Sequence, residues 1–212
     1  MMKLAYYNVE NLDLKKGYEL VSQKRKEKID FYKFDKDKKL SCAAYLLLQK
    51  LLDEEGITQP EFKIGKYGKA YICNYEDIYF NLSHSKKIVS CAISNKEIGV
   101  DVEYNDPTID LNIAKNYFYN SEYENIMKSD NPSNEFFKYW VLKESYMKYT
   151  GLGFNLDLNS FEILISDEIS LKNDPNNLKF NLYDIGEYKV ASAGHYKTNN
   201  IEKYSTNELI TY

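Results

Sequence analysis

Residues 77–103 read D-I-Y-F-N-L-S-H-S-K-K-I-V-S-C-A-I-S-N-K-E-I-G-V-D-V-E. From Asp77 to Leu82, the apolar Ile78, Phe80 and Leu82 alternate with Asp77, Tyr79 and Asn81, the period of a half-buried strand. Ser83 to Lys87 is polar and predicts a turn. Ile88 to Ser94 is apolar and β-branched, so the two segments predict an antiparallel hairpin. Glu97 to Glu103 predicts a third strand, broken by Asp106-Pro107.

Working outward, helical spacing takes over. Ser41 to Leu52 predicts a buried helix with Gly56 as its stop, and Lys66 to Lys69 a loop. Residues 109–127 carry Ile113, Ala114, Tyr117 and Phe118 at helical spacing. Asn134 to Tyr149 is the clearest helix, opened by Pro132-Ser133 and closed by Gly151. Phe161 to Ile165, Phe180 to Ile185 and Tyr188 to Ala193 predict strands. Helices mixed with antiparallel strands give an α+β class. No internal repeat is evident by eye.

The chain has 212 residues, 43% hydrophobic and 28% charged, a composition that suits a globular protein with a real core. Its net charge of -4 argues against general nucleic-acid binding. The charge is uneven, however: Ser22 to Lys39 holds eight Lys or Arg against four Asp or Glu. That run is either a solvated face or a local anion site. Three cysteines, Cys42, Cys73 and Cys91, form no metal-ligand spacing and fit a reducing cytoplasm. Glu10 and Asp13 interrupt the N-terminus too early for a signal peptide, and no apolar run is long enough for a membrane span.

Several side chains have chemical potential. Asp101 and Glu103, two apart in a strand, point to one face and repel each other unless a cation lies between them. In solvent the same pair would be only an acidic edge. Glu144 and Lys148 share a face of the 134–149 helix, either as a surface ion pair or, continuing the stripe from Trp140, as a partly buried pair. Ser83, His84 and the Gly68-Lys69 turn offer donors to a phosphate. These residues suggest a divalent cation and a polyanionic ligand without naming the compound.

The ordered motifs name a family. Gly68-Lys69, then F-N-L-S-H-S at 80–85, I-G-V-D-V-E at 98–103 and W-V-L-K-E-S-Y-M-K at 140–148 resemble the phosphopantetheinyl transferases, in the long, monomeric, surfactin-synthetase-activating form. The resemblance implies two similar α+β halves related by a pseudo-twofold, 1–97 and 98–212, with a coenzyme A cleft between them. It implies Mg²⁺, or Mn²⁺ in its place, on Asp101, Glu103 and Glu144, with Glu144 also the base and Lys148 steadying the diphosphate. Lys69, Ser83 and His84 would hold the 3′-phosphate and adenosine end, with Lys143 also on coenzyme A. Relatives often carry an arginine where Leu40 stands; Lys38 or Lys39 would replace it. The partner would be an apo carrier protein docking near Tyr117, Phe118 and Tyr119. A Mg²⁺-dependent phosphohydrolase and a non-enzymatic binding module are the competing readings.

Overall fold

The computed structural model describes residues 2–210; residue 1 of the expected first half and residues 211–212 of the second lie outside them. The elements run β1 Met2–Asn8, α1 Leu14–Leu20, α2 Gln23–Asp30, α3 Asp35–Glu54, β2 Phe62–Ile64, β3 Ala70–Ile72, β4 Tyr79–Ser85 and β5 Ile88–Ser94. They continue as β6 Ile98–Tyr104, α4 Asn112–Tyr117, α5 Asn120–Lys128, α6 Pro132–Thr150, β7 Ile163–Ile165, β8 Ile169–Leu171, β9 Lys179–Ile185 and β10 Tyr188–Gly194. β11 Glu202–Lys203 and α7 Thr206–Ile210 close the described chain.

The order repeats itself. A seven-residue strand, a set of helices ending in a long one, a short hairpin and a seven-residue hairpin occur twice, first as β1 to β5 and again as β6 to β10. The sheets correspond as well: β1-β5-β4 within one, β6-β10-β9 as the other. The two long helices start differently, since Phe34 gives α3 no side-chain cap, but each is followed by a glycine at positive φ, Gly56 and Gly151. α6 starts with Asn131 accepting from Asn134 N at 3.2 Å and Pro132 in its first turn, and stops at Gly151, whose φ of 71° suits a residue without a Cβ.

Each long helix covers its own sheet. Leu46, Leu47, Leu51 and Cys42 of α3 pack with Ala5, Cys91 and Ile93, while Val141, Leu142 and Met147 of α6 pack with Phe180, Ala191 and Ala193. A third apolar group, Leu4, Ile88, Ala92, Ile98, Val100, Val102 and Val190, joins strands of both sheets.

β4 lies against β6 without a backbone ladder; side chains make the join. Asn81 Oδ1 accepts from Val100 N at 2.9 Å, Ser83 Oγ donates to Asp101 Oδ1 at 2.8 Å, and Ser85 Oγ donates to Glu103 Oε2 at 2.7 Å. The expected turn over Ser83 to Lys87 is therefore corrected. Ser83 and Ser85 are polar because they face the carboxylates of β6, and only Lys86, at φ 46°, and Lys87 make the turn. On the other side, Asn181 stands one repeat on from Asn81. Its Oδ1 accepts from Thr198 N at 2.9 Å, and β11 then pairs in parallel with β1. The end of the described chain thus returns to the first half's sheet.

The single helix expected over 109–127 is two, broken at Phe118 and Tyr119. Phe118 adopts an extended backbone and lays its ring on Phe136 at 5.4 Å and Trp140 at 6.1 Å. Glu122 then caps α5 by accepting from Tyr119 N at 2.9 Å.

Candidate active site

One face of β6 decides the site. Gly99, Asp101 and Glu103 alternate toward α6 while Val100 and Val102 enter the core. Gly99 lets the helix come close: a Cβ there would stand 2.0 Å from Ser145 O and 2.4 Å from Tyr149 N. That approach brings Glu144 and Lys148, four residues apart on α6, beside the two acids of the strand.

The charges are interlocked. Lys148 Nζ sits 2.7 Å from Asp101 Oδ1 and 2.8 Å from Ser83 Oγ. Asp101 is 2% exposed, and its other oxygen, Oδ2, is buried with no hydrogen-bond partner among the described residues. Glu144 Oε1 is in the same condition. Burial, then the Asp101 charge, pushes the Glu144 carboxyl up to about 7, with Lys148 opposing them. Burial and Asp101 also raise Glu103, and its bond from Ser85 opposes the shift.

Two orphaned carboxylate oxygens, in a cluster where Glu103 and Glu144 are held above their ordinary pKa, fit a divalent cation with hard oxygen ligands. Among the described residues no three His, Cys, Asp or Glu side chains are grouped closely enough to hold an ion by themselves. Mg²⁺ does not require such a cage, since one or two carboxylates with ligand phosphates and water suffice.

Lys148 also lines a cleft of about 920 Å³. α2, α3, the β2–β3 hairpin, β4 and the end of α6 wall it. Its floor is aromatic: Phe62 meets Tyr45 at 6.1 Å and Phe80 at 5.5 Å, both edge-on. Arg25 lies over the Tyr45 ring at 4.6 Å and reaches Ser41 Oγ at 3.4 Å. Arg25 and Lys28 both line the cleft and form no ion pair among the described residues. Unpaired cations above an aromatic floor suit a polyanion with a planar ring. Neither residue was singled out individually from the sequence; the signal was the basic run that contains both.

The expected ligand residues divide. His84 is exposed and lines the cleft. Ser83 is engaged with Asp101 and Lys148, which makes it part of the carboxylate wall. Lys69 lines the cleft, but its ammonium already holds Glu97 Oε2 at 2.7 Å and the carbonyls of Ile98 and Tyr149 at 3.1 Å each. It braces the hairpin against β6 and α6.

Two expectations are corrected. Lys39 donates to Glu10 O at 3.3 Å and does not line the cleft. Lys143 is fully buried: one residue before Glu144 on a helix, it turns inward, meeting Glu122 at 2.7 Å and Phe161 O at 2.9 Å. Lys143→Met is therefore expected to cost ~3 kcal/mol or more, because it leaves Glu122 buried alone. Urea denaturation reads that loss, and coenzyme A titration of the folded protein should be unchanged. Weakened titration at full stability would return Lys143 to the ligand site.

Comparisons with known proteins agree with these motifs. A family model described as the 4′-phosphopantetheinyl transferase superfamily matches residues 97–194. A 4′-phosphopantetheinyl transferase of Bacillus subtilis is 37% identical over 148 residues, covering 66% of this chain and 64% of that protein. The 4′-phosphopantetheinyl transferase gsp of Aneurinibacillus migulanus is 36% identical, covering 68% and 61%. The match thus spans somewhat less than two thirds of these relatives. Among solved structures, Thermotoga maritima holo-[acyl-carrier-protein] synthase is similar with a TM-score of 0.40 and 20% identity, over 46% of this chain and 61% of that one.

Proposed function

We propose, from the premise that through residues 97–194 this chain belongs to the 4′-phosphopantetheinyl transferase superfamily, that it moves the phosphopantetheine arm of coenzyme A onto a serine of an apo carrier protein. The observation that carries this reading is the pair of buried, unpartnered oxygens, Asp101 Oδ2 and Glu144 Oε1, beside a cleft lined by unpaired cations.

In this reading Arg25, Lys28 and His84 bind the phosphorylated adenosine end over the aromatic floor. Lys148 stands at the junction of cleft and carboxylates and meets the diphosphate. Asp101, Glu103 and Glu144 would hold Mg²⁺, or Mn²⁺ in its place. When bound, the ion neutralises charge on the diphosphate oxygens. Glu144, poised near pH 7, accepts the proton of the serine hydroxyl. The serine oxygen forms a bond to the phosphorus nearest the pantetheine, the diphosphate bond breaks, and adenosine 3′,5′-bisphosphate leaves. The nucleophile comes from the partner, so the chain needs no catalytic Ser or Cys of its own.

The carrier docks on the second half near Tyr117 and Tyr119, which are 59% and 38% exposed. Phe118, expected with them, is 5% exposed and packed on Phe136, so it belongs to the core.

Chelation should abolish transfer, and Mg²⁺ or Mn²⁺ should restore it. Added Mg²⁺ should also raise the melting temperature of the metal-free parent but not of Asp101→Ala. Full transfer by Asp101→Ala in the presence of a chelator would rule out the ion.

A further inference from the structure

The joint between α2 and α3 presents two phenylalanines to solvent. Phe31 is 91% exposed and Phe34 is 57% exposed. Phe31 caps the end of α2, and Phe34 stands at the N-cap of α3 without a side-chain hydrogen bond. Nothing in their own packing accounts for them, and apolar rings this open mark contact surfaces when grouped with other features.

The second feature is charge. None of the eight Lys and Arg residues between Ser22 and Lys39 belongs to an ion pair among the described residues. Among the described residues, lysines without an ion pair occur elsewhere too, Lys15 and Lys16 among them, but only here do eight unpaired cations fall within eighteen residues. Arg25 and Lys28 face the cleft. Lys33 and Lys36 face outward instead, with their ammonium groups 5.6 Å and 6.0 Å from the Phe34 ring centre. A ring flanked by two free cations is complementary to an apolar side chain set among carboxylates.

The third feature is position. Tyr32, between the two rings in sequence, lines the cleft. Asp37, in the first turn of α3, is close enough to bear on His84, which in turn feels Lys148 and Asp101. The elbow therefore adjoins the cleft that His84 and Lys148 also line.

We infer that this elbow, Phe31 and Phe34 with Lys33 and Lys36, is a first-half docking surface for the protein acceptor, through an acidic surface bearing an exposed apolar residue. The inference rests on the proposed transfer, which requires a macromolecular serine to reach the cleft that the elbow adjoins. An anionic membrane or RNA fits less well. Outside this run the chain carries a net charge of -8, which repels an extended polyanion.

The test compares Phe31→Ala/Phe34→Ala and Lys33→Glu/Lys36→Glu with the parent, using an apo acyl carrier protein, Mg²⁺ and coenzyme A. Each double variant is expected to lower kcat/KM for the carrier about tenfold or more through KM, with KM for coenzyme A unchanged. Raising the salt should weaken the parent more than the charge-reversed variant. Direct carrier binding, read by fluorescence anisotropy, should fall in parallel. Unchanged carrier kinetics in both variants would overturn the docking surface and leave the transferase reading intact. A parent that neither transfers nor binds the carrier would overturn both. Binding of the parent to phosphatidylserine vesicles or to RNA that both variants lose, with carrier kinetics unmoved, would assign the elbow to that other partner.

Discussion

Glu144→Gln is expected to slow transfer by ~10²–10⁴-fold and, at the same time, to stabilise the metal-free protein. The two effects have one cause. The Glu144 carboxyl is raised from 4.5 to about 7, by burial first and by Asp101 next. A carboxyl whose folded pKa is raised contributes its full stability below the ordinary 4.5, and that contribution is lost as pH rises through about 7. At pH 8 the parent must bury a charge that glutamine lacks, so the variant should be more stable by ~1–3 kcal/mol. Thermal melts with chelator at pH 5 and pH 8 check this: the gap should open only at the higher pH. Single-turnover transfer at low and high Mg²⁺ separates the two roles of the residue. A slow rate that excess Mg²⁺ does not rescue identifies a base; rescue identifies mainly a ligand. Near-normal transfer by the variant at low Mg²⁺ would remove Glu144 from both.

Gly99→Ala should be the most damaging small substitution in the site. The new methyl would meet two backbone atoms of α6, at 2.0 Å and 2.4 Å, and backbone cannot swing aside as a side-chain tip can. Either β6 or α6 must shift, costing ~2–3 kcal/mol. The same shift moves Glu144 and Lys148 away from Asp101 and Glu103, so transfer should fall more than tenfold even where the variant is fully folded. Urea denaturation and transfer assays at low temperature read the two losses separately. A variant with parental stability and rate would show that the helix does not need its close approach to the strand.

The parts of this fold that were legible in the sequence are those with a clean period. Ile88–Ser94, Ile98–Tyr104 and the helix around Trp140 carry unmistakable spacing, and they hold Asp101, Glu103, Glu144 and Lys148. What misled were residues whose polarity or apolarity has a tertiary cause. Ser83 and Ser85 looked like a turn because their partners, Asp101 and Glu103, lie on another strand. Lys143 looked like a ligand because it neighbours Glu144, yet one residue along a helix is a rotation of about 100° and points it into the core. The repeat was hidden for a different reason. F-N-L recurs at 80–82 and 180–182, at matching places in β4 and β9, but it also stands at 154–156 outside any strand. Three letters could not reveal a repeated order of elements whose other matching positions differ, as Ser83 and Tyr183 do.

The central claim is the transfer itself. The most direct measurement is the intact mass of an apo carrier protein after incubation with this protein, coenzyme A and Mg²⁺. The carrier should gain the mass of one phosphopantetheine group, with one adenosine 3′,5′-bisphosphate released for each carrier modified. No gain should occur with chelator, and with Glu144→Gln at low Mg²⁺ the gain should appear ~10²–10⁴-fold more slowly. A carrier that stays unmodified while inorganic phosphate is released from coenzyme A or simple nucleotides would contradict the account and make the protein a hydrolase.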